Sequence, residues 1–105
     1  MIPTYEEVVD GHKAGALVAK RVGGLYIAFL STPQPIRNRG CARRLLTRIC
    51  HDADSGQYDL WLDLAPMDRT TDFSKLEEFY RSFGFVQMRG EWYRRFRKTN
   101  DNTTN

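Results

Sequence analysis

One junction constrains the fold of this chain more than any other. Residues 14–22, AGALVAKRV, and 23–32, GGLYIAFLST, read as strands, whereas Ala42, Leu45, Leu46, Ile49, Cys50 and Ala53 fall at helical spacing. The hydrophobic period changes across TPQPIRNRG, so within that stretch the backbone must leave a sheet and open a helix. Arg43, Arg44, Thr47, Arg48, His51 and Asp52 face away from the apolar stripe, and Ser55-Gly56 is the stop signal.

The other segments fall into place around this junction. TYEEVV (4–9) reads as a strand with Asp10-Gly11 as its turn, and Gly23-Gly24 joins the two strands that follow. In YDLWLDLAP (58–66), Tyr58, Leu60, Leu62 and Leu64 share one face and Asp59, Trp61 and Asp63 the other, which is a strand stopped by Pro66. Ser74 with Glu77 forms a capping box ahead of a helix whose stripe is Leu76, Phe79, Tyr80 and Phe83, ended by Gly84. FVQMR and WYRRF, separated by Gly90-Glu91, form a closing hairpin. The order β-β-β-α-β-α-β-β predicts an α/β (α+β) domain with a mixed sheet. We expect one domain over residues 1–98 and a disordered polar tail over 99–105, KTNDNTTN being too polar to pack.

Composition narrows the class. A hydrophobic share of 41% and an aromatic share of 12% belong to a folded chain rather than a disordered one. No apolar run approaches the roughly 18 residues of a membrane span, and the first residues lack a signal-peptide pattern, so a cytoplasmic location is expected. Cys41 and Cys50 lie on one helix, too few for a disulfide framework and without neighbouring zinc ligands, and no metal is expected.

The formal net charge of +3 conceals an asymmetry. Twelve of the 16 cations are arginine; residues 37–48 hold five of them and no acid, while Glu6, Glu7 and Asp10 lie near the N-terminus. Arginine's planar fork suits phosphate or carboxylate, yet charge alone favours a solvated basic surface. The junction adds a structural argument. The first N–H groups of a helix have no internal partners and the helix dipole favours an anion there, while Gly40 lets a ligand approach the backbone. The loop is neither GxGxxG nor GxxxxGK[ST], which removes support from dinucleotide-fold and nucleoside-triphosphatase readings.

Arg37-Asn38-Arg39-Gly40-Cys41-Ala42 also fits the pattern Q/R-x-x-G-x-G/A, and LEEFYRSFGF (76–85) follows after one more strand. Together these resemble the GNAT superfamily of acetyl-CoA-dependent N-acyltransferases over roughly residues 14–96. The resemblance implies a GNAT-like, mostly antiparallel mixed sheet. It implies that Arg37, Asn38, Arg39, Gly40, Cys41, Ala42 and Arg43 bind the CoA pyrophosphate, and that the backbone of Leu30, Ser31 and Thr32 pairs with pantetheine. By position Tyr80 is the general acid that protonates the CoA thiolate; a plain core tyrosine on the same stripe is the alternative. WLDL (61–64) resembles a WLEV segment of the branch that acetylates ribosomal protein N-termini, which makes Asp63 the matching base; an exposed or salt-bridged aspartate is the alternative.

The resemblance is incomplete in informative places. DFSK stands where the family carries an asparagine before the tyrosine, and APMDRTTD lengthens the gap between Asp63 and Tyr80. The family's first strand and two helices have no counterpart, so an open cleft and a partly uncovered sheet face are expected, with Trp61 needing a partner surface. This points to an acetyl-CoA-dependent N-acetyltransferase acting on a lysine or N-terminus of a protein rather than on a metabolite that must be enclosed. The alternative is a GNAT-like protein with little turnover that binds and inhibits a host or partner protein. A homodimer through the bare face is a further expectation. Nucleic acid is the weakest partner class: Trp92, Tyr93 and Phe96 alternate with arginines, but there is no recognised binding motif.

Overall fold

The computed structural model describes residues 4–36, 39–62 and 73–97. Strands β1 (Thr4–Val9), β2 (His12–Arg21) and β3 (Gly24–Ser31) form a meander, followed by a short 3-10 turn (Gln34–Ile36) and helix α1 (Cys41–Gly56). Strand β4 (Asp59–Leu62), helix α2 (Phe73–Arg81) and the hairpin of β5 (Val86–Met88) and β6 (Glu91–Arg94) complete the order expected from the sequence. The six strands lie in the order β1-β2-β3-β4-β6-β5. Only the β3–β4 pair is parallel, and α1 is the crossover that a parallel pair requires.

Alternation decides which side of the sheet is core. Ala14, Ala16 and Val18 of β2, Ile27 of β3, Leu60 and Leu62 of β4 and Trp92 of β6 are buried on one face. They pack with Leu46, Ile49, Cys50 and Ala53 of α1, Tyr80 of α2 and Phe85. Both helices therefore cover the same side of the sheet. A smaller cluster of Ala14, Ile36, Cys41 and Leu45 lies under the start of α1.

The turns refine the expectation. Asp10-Gly11 and Arg89-Gly90 both have positive φ at their two central residues, the hairpin geometry that matches strand twist. Gly24 is thus the first residue of β3 and Glu91 the first of β6, rather than turn residues. A side chain at Gly24 would collide with the Asp59 carbonyl and the Trp61 ring, so close strand packing is what requires glycine there. Helix α1 runs through Gly56 and is capped by Gln57 in the left-handed region, with Gln57 N–H donating to Asp54 C=O and Tyr58 N–H to Ala53 C=O. That cap turns Tyr58 outward, where it is exposed instead of sharing the face of Leu60 and Leu62. Ser74 lies within the first turn of α2, not ahead of it, so it is not the N-cap of a capping box. Gly84 does end this segment: Gly84 N–H donates to Arg81 C=O and Phe85 N–H to Tyr80 C=O, with Gly84 at φ 95°.

Candidate active site

The segment between β3 and α1 is pinned at both ends. Ile36 is fully buried and Cys41 is 1% exposed, both in the small cluster beneath the helix start. Ile36 N–H donates to Pro33 C=O at 3.1 Å and Arg39 N–H donates to Ile36 C=O at 3.3 Å. Gly40 then adopts φ 79°, ψ 9° as the N-cap of α1, with no side-chain cap and no acid in the first turn. A left-handed residue followed by helical ones aims successive N–H groups into one concavity, a backbone anion nest at the positive end of a helix dipole. The apolar stripe begins at Cys41 rather than Ala42, so Cys41 offers the nest its N–H while its thiol belongs to the core.

The arginines around this nest are engaged from beneath. Arg44 Nε donates to Glu7 Oε1 at 2.8 Å and its Nη1 to the Arg39 carbonyl at 3.0 Å. Arg39 Nη1 donates to Asp10 Oδ2 at 3.0 Å, and Arg48 Nη2 to the Glu6 carbonyl at 2.8 Å. The acidic N-terminal segment and the basic junction, separate in sequence, are thus one electrostatic unit. Arg43 projects differently: its guanidinium lies 5.4 Å from the ring centroids of both Phe79 and Phe83, which ties the first turn of α1 to α2.

Among the described residues, β3 pairs with β4 from Gly24 to Ile27, and β3 continues beside β2 to Ser31. The β2 register skips Ala28, a bulge that bends β3 beyond Ile27. Among the described residues, the β4 side of Leu30 and Ser31 has no strand partner. Its backbone groups can pair with an extended amide-bearing ligand as a missing strand would. Thr32 follows directly after the strand.

Tyr80 is 8% exposed, with its ring edge-on to Phe79 at 5.3 Å and to Phe85 at 5.8 Å. Among the described residues its hydroxyl has no hydrogen-bond partner. Burial pushes the phenol up to about 12, so it keeps its proton across the neutral range. The ring is core, as the apolar stripe implied, and among the described residues the protonated donor at its tip has no partner.

Of the residues singled out from sequence, Leu30, Ser31 and Thr32 lie at the end of β3 and Arg39, Gly40, Cys41, Ala42 and Arg43 at the start of α1, where Arg43 reaches Phe79, the ring beside Tyr80. Arg37, Asn38 and Asp63 lie outside the described residues, as do Leu64, Pro66, the APMDRTTD stretch and the tail 99–105. Sequence reasoning missed Glu7 as the partner of Arg44, although the adjacent acids Glu6 and Glu7 were visible in the first strand. It also missed the Ala28 bulge, for which no residue type gives a signal.

Comparison of the sequence with protein-family profiles and with curated proteins finds no match. Solved structures are similar in fold. The ribosomal-protein-S18-alanine N-acetyltransferase from Escherichia coli is 14% identical with a TM-score of 0.73, covering 96% of this chain and 73% of that one. A presumed acetyltransferase from Agrobacterium tumefaciens is 19% identical with a TM-score of 0.66, covering 91% of this chain and 75% of that one. The anti-CRISPR protein AcrVA5 is 16% identical with a TM-score of 0.62, covering 86% of this chain and 95% of that one. The meander, the α1 crossover and the closing hairpin are those of the GNAT acetyltransferases, and the chain has the GNAT fold.

Proposed function

We propose that this protein is an N-acetyltransferase that moves acetyl from acetyl-CoA directly to an amine of a protein, a lysine or an N-terminus. The observation that carries the reading is the Gly40 nest at the start of α1, which follows the end of β3, where the β4 side has no strand partner among the described residues. An extended pantetheine arm and a pyrophosphate need those two features in that order. Leu30 and Ser31, followed by Thr32, would hold the arm, and the N–H groups of Gly40, Cys41, Ala42 and Arg43 the pyrophosphate, with Arg37, Asn38 and Arg39 beside them.

The neutral amine attacks the thioester carbonyl carbon, the C–S bond breaks, and Tyr80 donates its proton to the departing sulfur. Backbone N–H groups at the end of β3 stabilise the oxyanion. Asp63, or a water it holds, takes the proton that the amine must lose. No nucleophilic step through Cys41 is needed, and its thiol is buried away from the nest.

A protein acceptor fits a sheet whose second face carries no helix among the described residues. Among the described residues no helix is long and apolar enough to cross a membrane, so nothing in the fold sets the acceptor apart in a bilayer. The similarity in extent to an anti-CRISPR protein supports a second reading, a binding protein that holds CoA and acts on a partner by contact. One experiment separates them. Purified protein is titrated with CoA in a calorimeter and then incubated with acetyl-CoA and a cell lysate for mass spectrometry. Binding with new acetyl-lysine or acetyl N-termini is expected; binding without transfer favours the second reading, and no binding overturns both.

A further inference from the structure

The arginine that the fold fixes most firmly at the nest does not point at the ligand side. Arg44 donates to the Arg39 carbonyl through Nη1 at 3.0 Å and to Glu7 of β1 through Nε at 2.8 Å, while Nη2 lies 3.6 Å from Cys41 Sγ. A Cβ on Gly40 would stand 3.0 Å from Nη1, so the guanidinium lies directly against the residue that makes the nest. Peptide planarity turns this into an orienting device. The Arg39 carbonyl and the Gly40 N–H belong to one trans peptide and point in opposite directions. Drawing the carbonyl onto Arg44 therefore turns the Gly40 N–H away from β1, into the concavity.

We propose that Glu7 and Arg44 are positioning residues: the pair braces the Arg39–Gly40 peptide so that the nest presents its first N–H to the phosphate ligand. Arg44 acts through the backbone and not as a phosphate ligand. This deepens the acetyl-CoA reading and rests on it. It makes the sign of a charge change diagnostic. Were Arg44 a phosphate ligand held back by Glu7, removing Glu7 would free it and tighten CoA binding. As a brace, the pair loses its function when either member is removed.

The test measures CoA dissociation constants by calorimetry for the unaltered protein, Glu7→Gln, Glu7→Ala, Arg44→Lys and the Glu7→Ala/Arg44→Lys double variant. Circular dichroism establishes that each is folded. The loss of a charge-assisted hydrogen bond corresponds to about tenfold weaker binding, expected for Glu7→Ala and for Arg44→Lys, whose single ammonium cannot hold both partners. Glu7→Gln keeps an acceptor for Nε and should bind nearly as well as the unaltered protein. The double variant should be no weaker than either single one, because both remove the same brace. Equal or tighter binding by Glu7→Ala overturns the proposal, as does unchanged binding by Arg44→Lys. If the unaltered protein binds no CoA, the acetyl-CoA reading falls and the amide resonances of Gly40 and Cys41 decide the brace: shifted in Glu7→Ala they support it, unmoved they overturn it.

Discussion

Tyr80 is a core residue that the proposed mechanism also uses as a reagent. Its ring fills space between Phe79 and Phe85, and its hydroxyl, without a partner among the described residues, costs the fold desolvation and returns no hydrogen bond. Replacing Tyr80 by Phe should therefore leave the melting temperature unchanged or slightly raised, while kcat for acetyl transfer falls about a hundredfold. A variant that loses stability and keeps its rate would make Tyr80 a structural residue only. The raised phenol keeps its proton below about pH 12, so the alkaline side of the rate profile is not set by Tyr80. On the nest side, Gly40 is demanded twice, by its positive φ and by the Arg44 guanidinium against it. The first demand is legible in sequence as a glycine at a helix start. The second is not, because it depends on a strand placed more than thirty residues earlier.

At the scale of elements, α1 is held at both ends by charge. Its start rests on β1 through Glu7–Arg44, and its end on β6 through Asp54–Arg94, a pair at 2.8 Å whose arginine is only 4% exposed. Burial alone would raise the Asp54 carboxyl, but hydrogen bonds from the Arg94 side chain and the Arg97 N–H outweigh it and hold the group below the usual carboxylate range. Because the folded-state value is depressed, the stabilisation is complete above the ordinary aspartate range near pH 4 and is lost as the pH falls through the folded value. Asp54→Asn leaves a buried guanidinium without its counter-charge and should cost about 3 kcal/mol in urea unfolding at neutral pH. The variant should also lose part of the stability decline that the unaltered protein shows on acidification. Both helices and all six strands were legible from periodicity, since each segment is short and strongly patterned. What periodicity did not reveal was the Ala28 bulge, which depends on strand register, and no local window contains that.

For the whole molecule, both helices pack on one side of the sheet, and among the described residues the other side carries none. Pairing places Val8, Leu17, Val86 and Met88, all exposed, on the side away from both helices, together with Trp61 and Tyr93. On this side Glu6 pairs with Lys13 and Arg21 with Glu91, the Arg21 guanidinium lies 4.7 Å from the Trp61 ring centroid, and the Tyr93 hydroxyl donates to Asp59. Six strands at about 4.8 Å spacing give a face roughly 24 Å across, of the order a standard interface requires. A face that exposes apolar side chains between ion pairs of both signs can meet a copy of itself, so a homodimer is expected in sedimentation. Leu17→Glu with Met88→Lys should render it monomeric; an unaltered protein that is monomeric at all concentrations removes the idea. The sequence by itself determined the order of elements, the glycine at the helix start and the apolar stripes, because these follow from local period and backbone freedom. Only the tertiary structure decided that β1 supplies the acid beneath the nest, that β3 bulges at Ala28, and that both helices cover one face. Each of these depends on segments far apart in the chain meeting at a set register, and the TPQPIRNRG junction acquires its chemistry from that meeting.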